Sequence, residues 1–229
     1  MAAVLERTPP ASAAGAFHTG AVYYTRPRAV WAAVGDDVRA TIEGDGDAGR
    51  HEYRMLGARY RDRVESVRLP PGIALERYTM PTAALVDGLT AAGFREADGR
   101  ANGFRLFANP GRDDGLTQAA VIGRTVLWVD PWRDRGGQYA AIRAALTALD
   151  DTTAAAALDA TDRRIVAALD GVGGEARLLV PRKGGRTRAI AVTYRADDAL
   201  VTEYKVEDGR LAETTGRAAK RPPFGYRDR

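Results

Sequence analysis

The segment from Thr117 to Val129 constrains the fold of this chain more than any other. Two strand-like runs, Thr117 to Ile122 and Thr125 to Val129, are separated only by Gly123 and Arg124. Strands joined by two residues pair antiparallel, because a parallel return needs a long crossover. Glycine at the first turn position takes a positive φ without a Cβ clash, so the spacing predicts a type II′ turn. The middle of the chain is therefore a hairpin, and its flanking segments have to pack around it.

N-terminal to the hairpin, Ala21 to Thr25 and Val38 to Glu43 read as strands, with Gly44 to Arg50 as a turn. Polar and apolar residues alternate from Glu52 to Leu69, the pattern of a half-exposed strand or hairpin, which Pro70, Pro71 and Gly72 end. A helix is expected from Pro81 to Ala92. Leu85, Val86 and Leu89 form its apolar face, and Gly93 closes it. Phe104 to Ala108 follows as a strand. C-terminal to the hairpin, Asp130 to Gly137 is a loop and a boundary. Helices are expected at Gln138 to Leu149, Thr153 to Leu158 and Asp162 to Val172, the last capped by Thr161. Strands at Ala176 to Val180 and Thr187 to Arg195, then a hairpin holding Leu200 to Val206, complete the folded part. Both halves place a helix before a strand and a hairpin (81–129 and 162–206), a weak internal echo.

These elements predict an α+β protein: a β-rich N-terminal portion followed by helix–hairpin modules. The expected divisions are a disordered Ala/Pro/Ser arm (1–16), a β-rich α+β domain (17–136), a helical plus β-hairpin domain (137–214) and a basic tail (215–229).

Charge separates the tail from the body. The chain carries 34 basic and 30 acidic residues. Five of the bases, Arg217, Lys220, Arg221, Arg227 and Arg229, and the single acid Asp228 fall in the last thirteen residues. That leaves 29 of each sign elsewhere, so the whole +4 resides at the C-terminus. A neutral body with a cationic end points to a tether or docking segment rather than a broad polyanion footprint. Within the tail, Lys220, Arg221, Phe224, Tyr226 and Arg227 are the candidate docking residues. Prolines 222 and 223 reduce the entropy lost on docking, and the aromatics suit either a protein groove or stacking on bases.

Other chemistries are excluded or left without support. The absence of cysteine rules out disulfides, thiolate metal sites and thiol catalysis, and leans towards the cytoplasm. No stretch approaches the roughly 20 apolar residues of a membrane span, and residues 1–16 lack the sustained apolar run of a secretory signal. Asp45 to Gly49 lacks the third acidic ligand of a calcium loop. His18 and His51 have no metal-ligand spacing. Neither a P-loop nor a dinucleotide fingerprint is present. No cofactor, metal or catalytic residue is expected. Arg59, Arg61 and Arg63 alternate, so on a strand all three would share one face, as a phosphate-contacting stripe or as a solvated face paired with acids.

The order of elements from Gln138 to Arg195 is helix, short helix, Asp159-Ala160-Thr161 turn, helix, strand, basic Gly-rich loop, strand. It resembles a winged-helix DNA-binding domain. The resemblance implies that Asp162 to Val172 reads the major groove, with Arg163 and Arg164 near base edges. It also implies that Arg182, Lys183, Arg186 and Arg188 form a phosphate-contacting wing. Ordinary α+β packing with Gly-rich turns gives the same pattern. The sequence thus leads to a non-enzymatic, cytoplasmic DNA-binding protein. The alternative is a structural or adaptor subunit of a larger assembly, such as a virion, tail or secretion-type particle, docking through its termini.

Overall fold

The computed structural model describes residues 21–44, 52–69, 73–109, 111, 118–129, 139, 142–143, 145–147, 168–169, 174–179, 188–195, 198–207 and 210–218. The strands are β1 (Ala21–Thr25), β2 (Arg63–Leu69), β3 (Ile73–Tyr78), β4 (Arg95–Ala101), β5 (Phe104–Ala108), β6 (Gln118–Ile122), β7 (Thr125–Val129), β8 (Glu175–Leu179), β9 (Arg188–Tyr194), β10 (Ala199–Glu207) and β11 (Arg210–Ala218). The helices with defined ends are α1 (Pro27–Ala33), α2 (Asp36–Gly44), α3 (Glu52–Met55) and α4 (Thr82–Ala91), with a 3₁₀ turn at Tyr60–Asp62. Residues 142–143, 145–147 and 168–169 are also helical.

All eleven described strands join one sheet in the order β11-β10-β9-β8-β1-β2-β3-β7-β6-β5-β4, and every neighbouring pair is antiparallel. This overturns the expected α+β layout of a β-rich portion followed by helix–hairpin modules. Strands dominate, the helices are short, and both portions feed the same sheet through the β1–β8 pairing. The reason is topological. Thr25 pairs with Glu175, about 150 residues later, and no local pattern announces such a contact.

The sheet is covered on both faces. Strand side chains alternate between two cores, as the pleat requires. On β7, Val126 and Trp128 enter one core while Leu127 and Val129 enter the other. The first core receives Val30, Ile42, Tyr53, Leu85 and Leu89 from α1 to α4, and Val34 from just past α1. The second receives Ile142, Ala145, Leu146 and Leu169 from the later helical residues. A fully buried side chain of this size stabilises by about 1.5–3 kcal/mol, so residues such as Leu85, Leu106 and Leu127, all at 0% exposure, fix the layers.

Several local expectations hold. Ala21–Thr25 is β1, α4 ends in Gly93 at φ 86, and Gly123 turns the β6–β7 hairpin at φ 53. Others do not. Val38 to Glu43 lies in α2 rather than a strand, because Val38 and Ile42 are one helical turn apart and Ile42 is buried against the sheet. The segment Glu52 to Leu69 is a strand only from Arg63; before it come α3 and the 3₁₀ turn. The expected turn at 44–50 and the short helix at 153–158 lie outside the described residues, apart from Gly44, which ends α2. The strand β11 continues to Ala218, past the expected start of the tail at 215. Both halves do carry a meander of four strands after helical residues. However, β4–β7 docks on the sheet by its last strand and β8–β11 by its first.

Candidate docking edge

The sequence-derived site residues fall in different places. Arg163, Arg164, Arg182, Lys183 and Arg186 lie outside the described residues, as do Lys220, Arg221, Phe224, Tyr226 and Arg227. Arg188 is the first residue of β9. That strand is interior: Arg188 is opposite Leu179 of β8 on one side and Lys205 of β10 on the other.

The stripe of Arg59, Arg61 and Arg63 is not a stripe. The 3₁₀ turn breaks the strand period, so the three arginines diverge. The Arg59 backbone N–H donates to Asp62 Oδ2 at 2.8 Å, which tightens the turn. Arg61 is exposed and lies over the Trp31 ring at 6.0 Å, which Arg39 also flanks at 5.8 Å. Arg63 turns inward. Its guanidinium donates to Glu76 Oε1 at 2.7 Å and stacks over Tyr53 at 4.3 Å and Tyr60 at 4.9 Å. Glu76, at 0% exposure, also accepts from Ser66 at 3.1 Å and from the Tyr78 hydroxyl. Burial pushes the Glu76 carboxyl upward, but the Arg63 and Arg68 charges and its hydrogen bonds outweigh that and hold it below the ordinary range. Burial and the neighbouring Glu76 carboxylate push the Tyr78 phenol well above its ordinary value. This cluster closes the sheet centre with matched charge and little solvent contact. Among the described residues no group of three or more metal-ligating side chains occurs, and no helix is long and apolar enough to cross a membrane.

Among the described residues the sheet ends at two margins, β4 and β11. An edge strand presents a row of backbone N–H and C=O groups that another strand can pair with, and proteins usually blunt it. The β4 edge is blunted. Its register with β5 shifts between Glu96 and Arg100, and Gly99 sits there at φ 89. Charged Arg95, Glu96, Asp98 and Arg100 line it, and the Tyr139 hydroxyl already donates to the Arg95 carbonyl at 3.2 Å. Glu96 is locked onto Arg105 by two contacts of 2.6 Å, whose hydrogen bond holds the carboxyl below its ordinary range.

The β11 edge also carries charges, at Arg210, Glu213 and Arg217, but differs in length and register. Nine residues pair with β10 in unbroken register, from Glu207↔Arg210 to Ala199↔Ala218. From Arg210 to Arg217 every residue is exposed except half-buried Ala212. Leu211, at 39% exposure, is one of two large exposed hydrophobic residues described. Among the described residues neither core draws a side chain from β11; the outermost buried contribution is Tyr204 and Ala199 of β10. Thr202 and Thr215 meet across the hairpin at 3.1 Å, and Thr215 donates to Glu213 at 3.4 Å. Arg217 has a 3.7 Å approach to Asp198 and stays 77% exposed. The expected hairpin holding Leu200 to Val206 is β10 with β11. Its signal is Asp208-Gly209, a hairpin dipeptide following the alternating residues of β10.

Searches of protein-family models, curated proteins and solved structures find no match to this chain.

Proposed function

We propose that this protein is a docking subunit of a larger protein assembly, joined to it by strand addition at β11. One observation carries the reading: of the two sheet margins, β4 is bulged and partly occupied, while β11 is longer, in unbroken register and, from Arg210 to Arg217, exposed except at half-buried Ala212. Strand addition draws affinity from main-chain hydrogen bonds and specificity from alternate side chains. A straight nine-residue edge suits both. No catalytic residue, cofactor or metal enters this reading, and the cytoplasm is the proposed compartment.

The nucleic-acid reading rests on the cations of 182–188 and on the +4 of the C-terminal residues. It becomes an outcome of the test. Full-length protein tagged at its N-terminus is recovered from its own cells, beside Thr214→Pro and Thr215→Pro. Neighbouring residues point their N–H groups to opposite sides of a strand, so one of these prolines breaks the β10 ladder and the other blocks only the open edge. The expected result is a stoichiometric protein partner lost from the well-folded proline variant. If the folded variant keeps the partner, the edge is not the docking site. Salt-dependent binding to a random duplex, abolished by changing Arg182, Lys183, Arg186 and Arg188 together to Ala, would replace docking with DNA binding.

A further inference from the structure

We infer that the strand β11 accepts is β11 of a second copy, paired antiparallel about a two-fold axis at Thr215. This rests on the docking reading above and names its occupant. The inference comes from the charges along the edge. Glu213 and Arg217 lie four residues apart on a strand, so they share a face, and Thr215 lies midway between them. A two-fold axis through Thr215 therefore sets each Glu213 opposite Arg217 of the other copy, and Thr214 opposite Gly216. The pairing is self-complementary, as an isologous contact must be. It places no like charges opposite one another between Ala212 and Ala218.

Both charged groups are available for this. Glu213 is exposed and accepts a 3.4 Å contact from Thr215, and Arg217 is mostly exposed. Gly216 adds no bulk opposite Thr214, and nothing lies within 4 Å of where a Cβ would be. The contact is small, at the low end of interfaces below about 1,200 Å². The association is therefore concentration-dependent rather than obligate. It also closes on itself, because the other margin of each copy is the blunted β4.

The test uses three full-length proteins in sedimentation-velocity runs over a concentration series: wild type, Glu213→Arg and Arg217→Glu. Wild type should show a monomer–dimer equilibrium. Each single variant sets like charges opposite one another twice, so two attractive cross-strand pairs become repulsive, and dimerisation should weaken at least about tenfold. An equimolar mixture of the two variants restores both pairs, so it should dimerise again. A strictly monomeric wild type overturns the proposal, as does a mixture no tighter than its components. Both variants should keep the wild-type circular dichroism spectrum; the mixture controls for folding, because two misfolded chains would not recover association together. A monomeric wild type that still loses a host partner in the edge-proline variant would refute self-pairing alone. A monomer without any partner would remove the docking reading as well.

Discussion

Replacing Glu76 by glutamine tests the buried cluster at the sheet centre. The substitution keeps the volume and most hydrogen bonds. The carbonyl of the introduced amide can still accept from Arg63 and Ser66, and its NH₂ group can donate to Tyr78. What disappears is the charge facing Arg63, whose residue is 7% exposed and whose Nε already lacks a hydrogen-bond partner. Leaving a buried charge uncompensated costs about 3 kcal/mol. For a urea slope of about 3 kcal/mol/M, this lowers the unfolding midpoint by about 1 M. Adding Arg63→Met removes the stranded charge, while the thioether side chain still packs on Tyr53 and Tyr60. The double variant should therefore recover about 2 kcal/mol over Glu76→Gln alone. Urea titration followed by tryptophan fluorescence reads all three proteins, since Trp128 lies in the same core as Tyr53, Tyr60 and Tyr78. A double variant no more stable than the single one would refute the reasoning, because it would mean that the charges do not matter to each other.

The same pair gives the acid behaviour a sign. Glu76 has a folded pKa below its ordinary 4.5, so its contribution is complete above that pH and is lost as pH falls through the folded value. Wild type and Glu76→Gln should therefore converge in stability below about pH 4.5, as urea midpoints across pH would show. Gly88→Ala should destabilise by about 1–3 kcal/mol, although alanine is ordinarily the better helix former, because its Cβ would sit 2.6 Å from the Leu56 backbone; thermal melts beside wild type read the loss. Gln118→Leu removes the buried acceptor of the Ile142 N–H, at 2.8 Å, and should cost about 1–3 kcal/mol with faster exchange of that amide.

What the sequence made legible was local. Gly123 announced the β6–β7 hairpin, and Gly93 the end of α4, because each needs a positive φ. The strand β4 went unseen because READGRA carries no alternation: its only apolar side chains are Ala97 and Ala101, four residues apart and half-buried. Asn102-Gly103, at φ 50 and 80, was the available sign of its hairpin. Arg63 was placed on a solvent face because its partner Glu76 is thirteen residues away, on the next strand. The open edge was illegible for a further reason. Being an edge is a property of the whole strand order, and only the completed sheet determines which strand comes last.

The position of β1 has a consequence for synthesis. It is the first of the described strands to be made, yet it lies inside the sheet, with β2 on one side and β8 on the other. Once residue 129 has left the ribosome, β1 to β7 are all present and can assemble into a seven-stranded sheet. The second side of β1 then stays open until residues 175–179 arrive. At about 5–20 residues per second, that wait lasts several seconds. During this time the nascent chain exposes an interior strand that the finished protein hides, and a chaperone or a second nascent chain would find its pairing groups there.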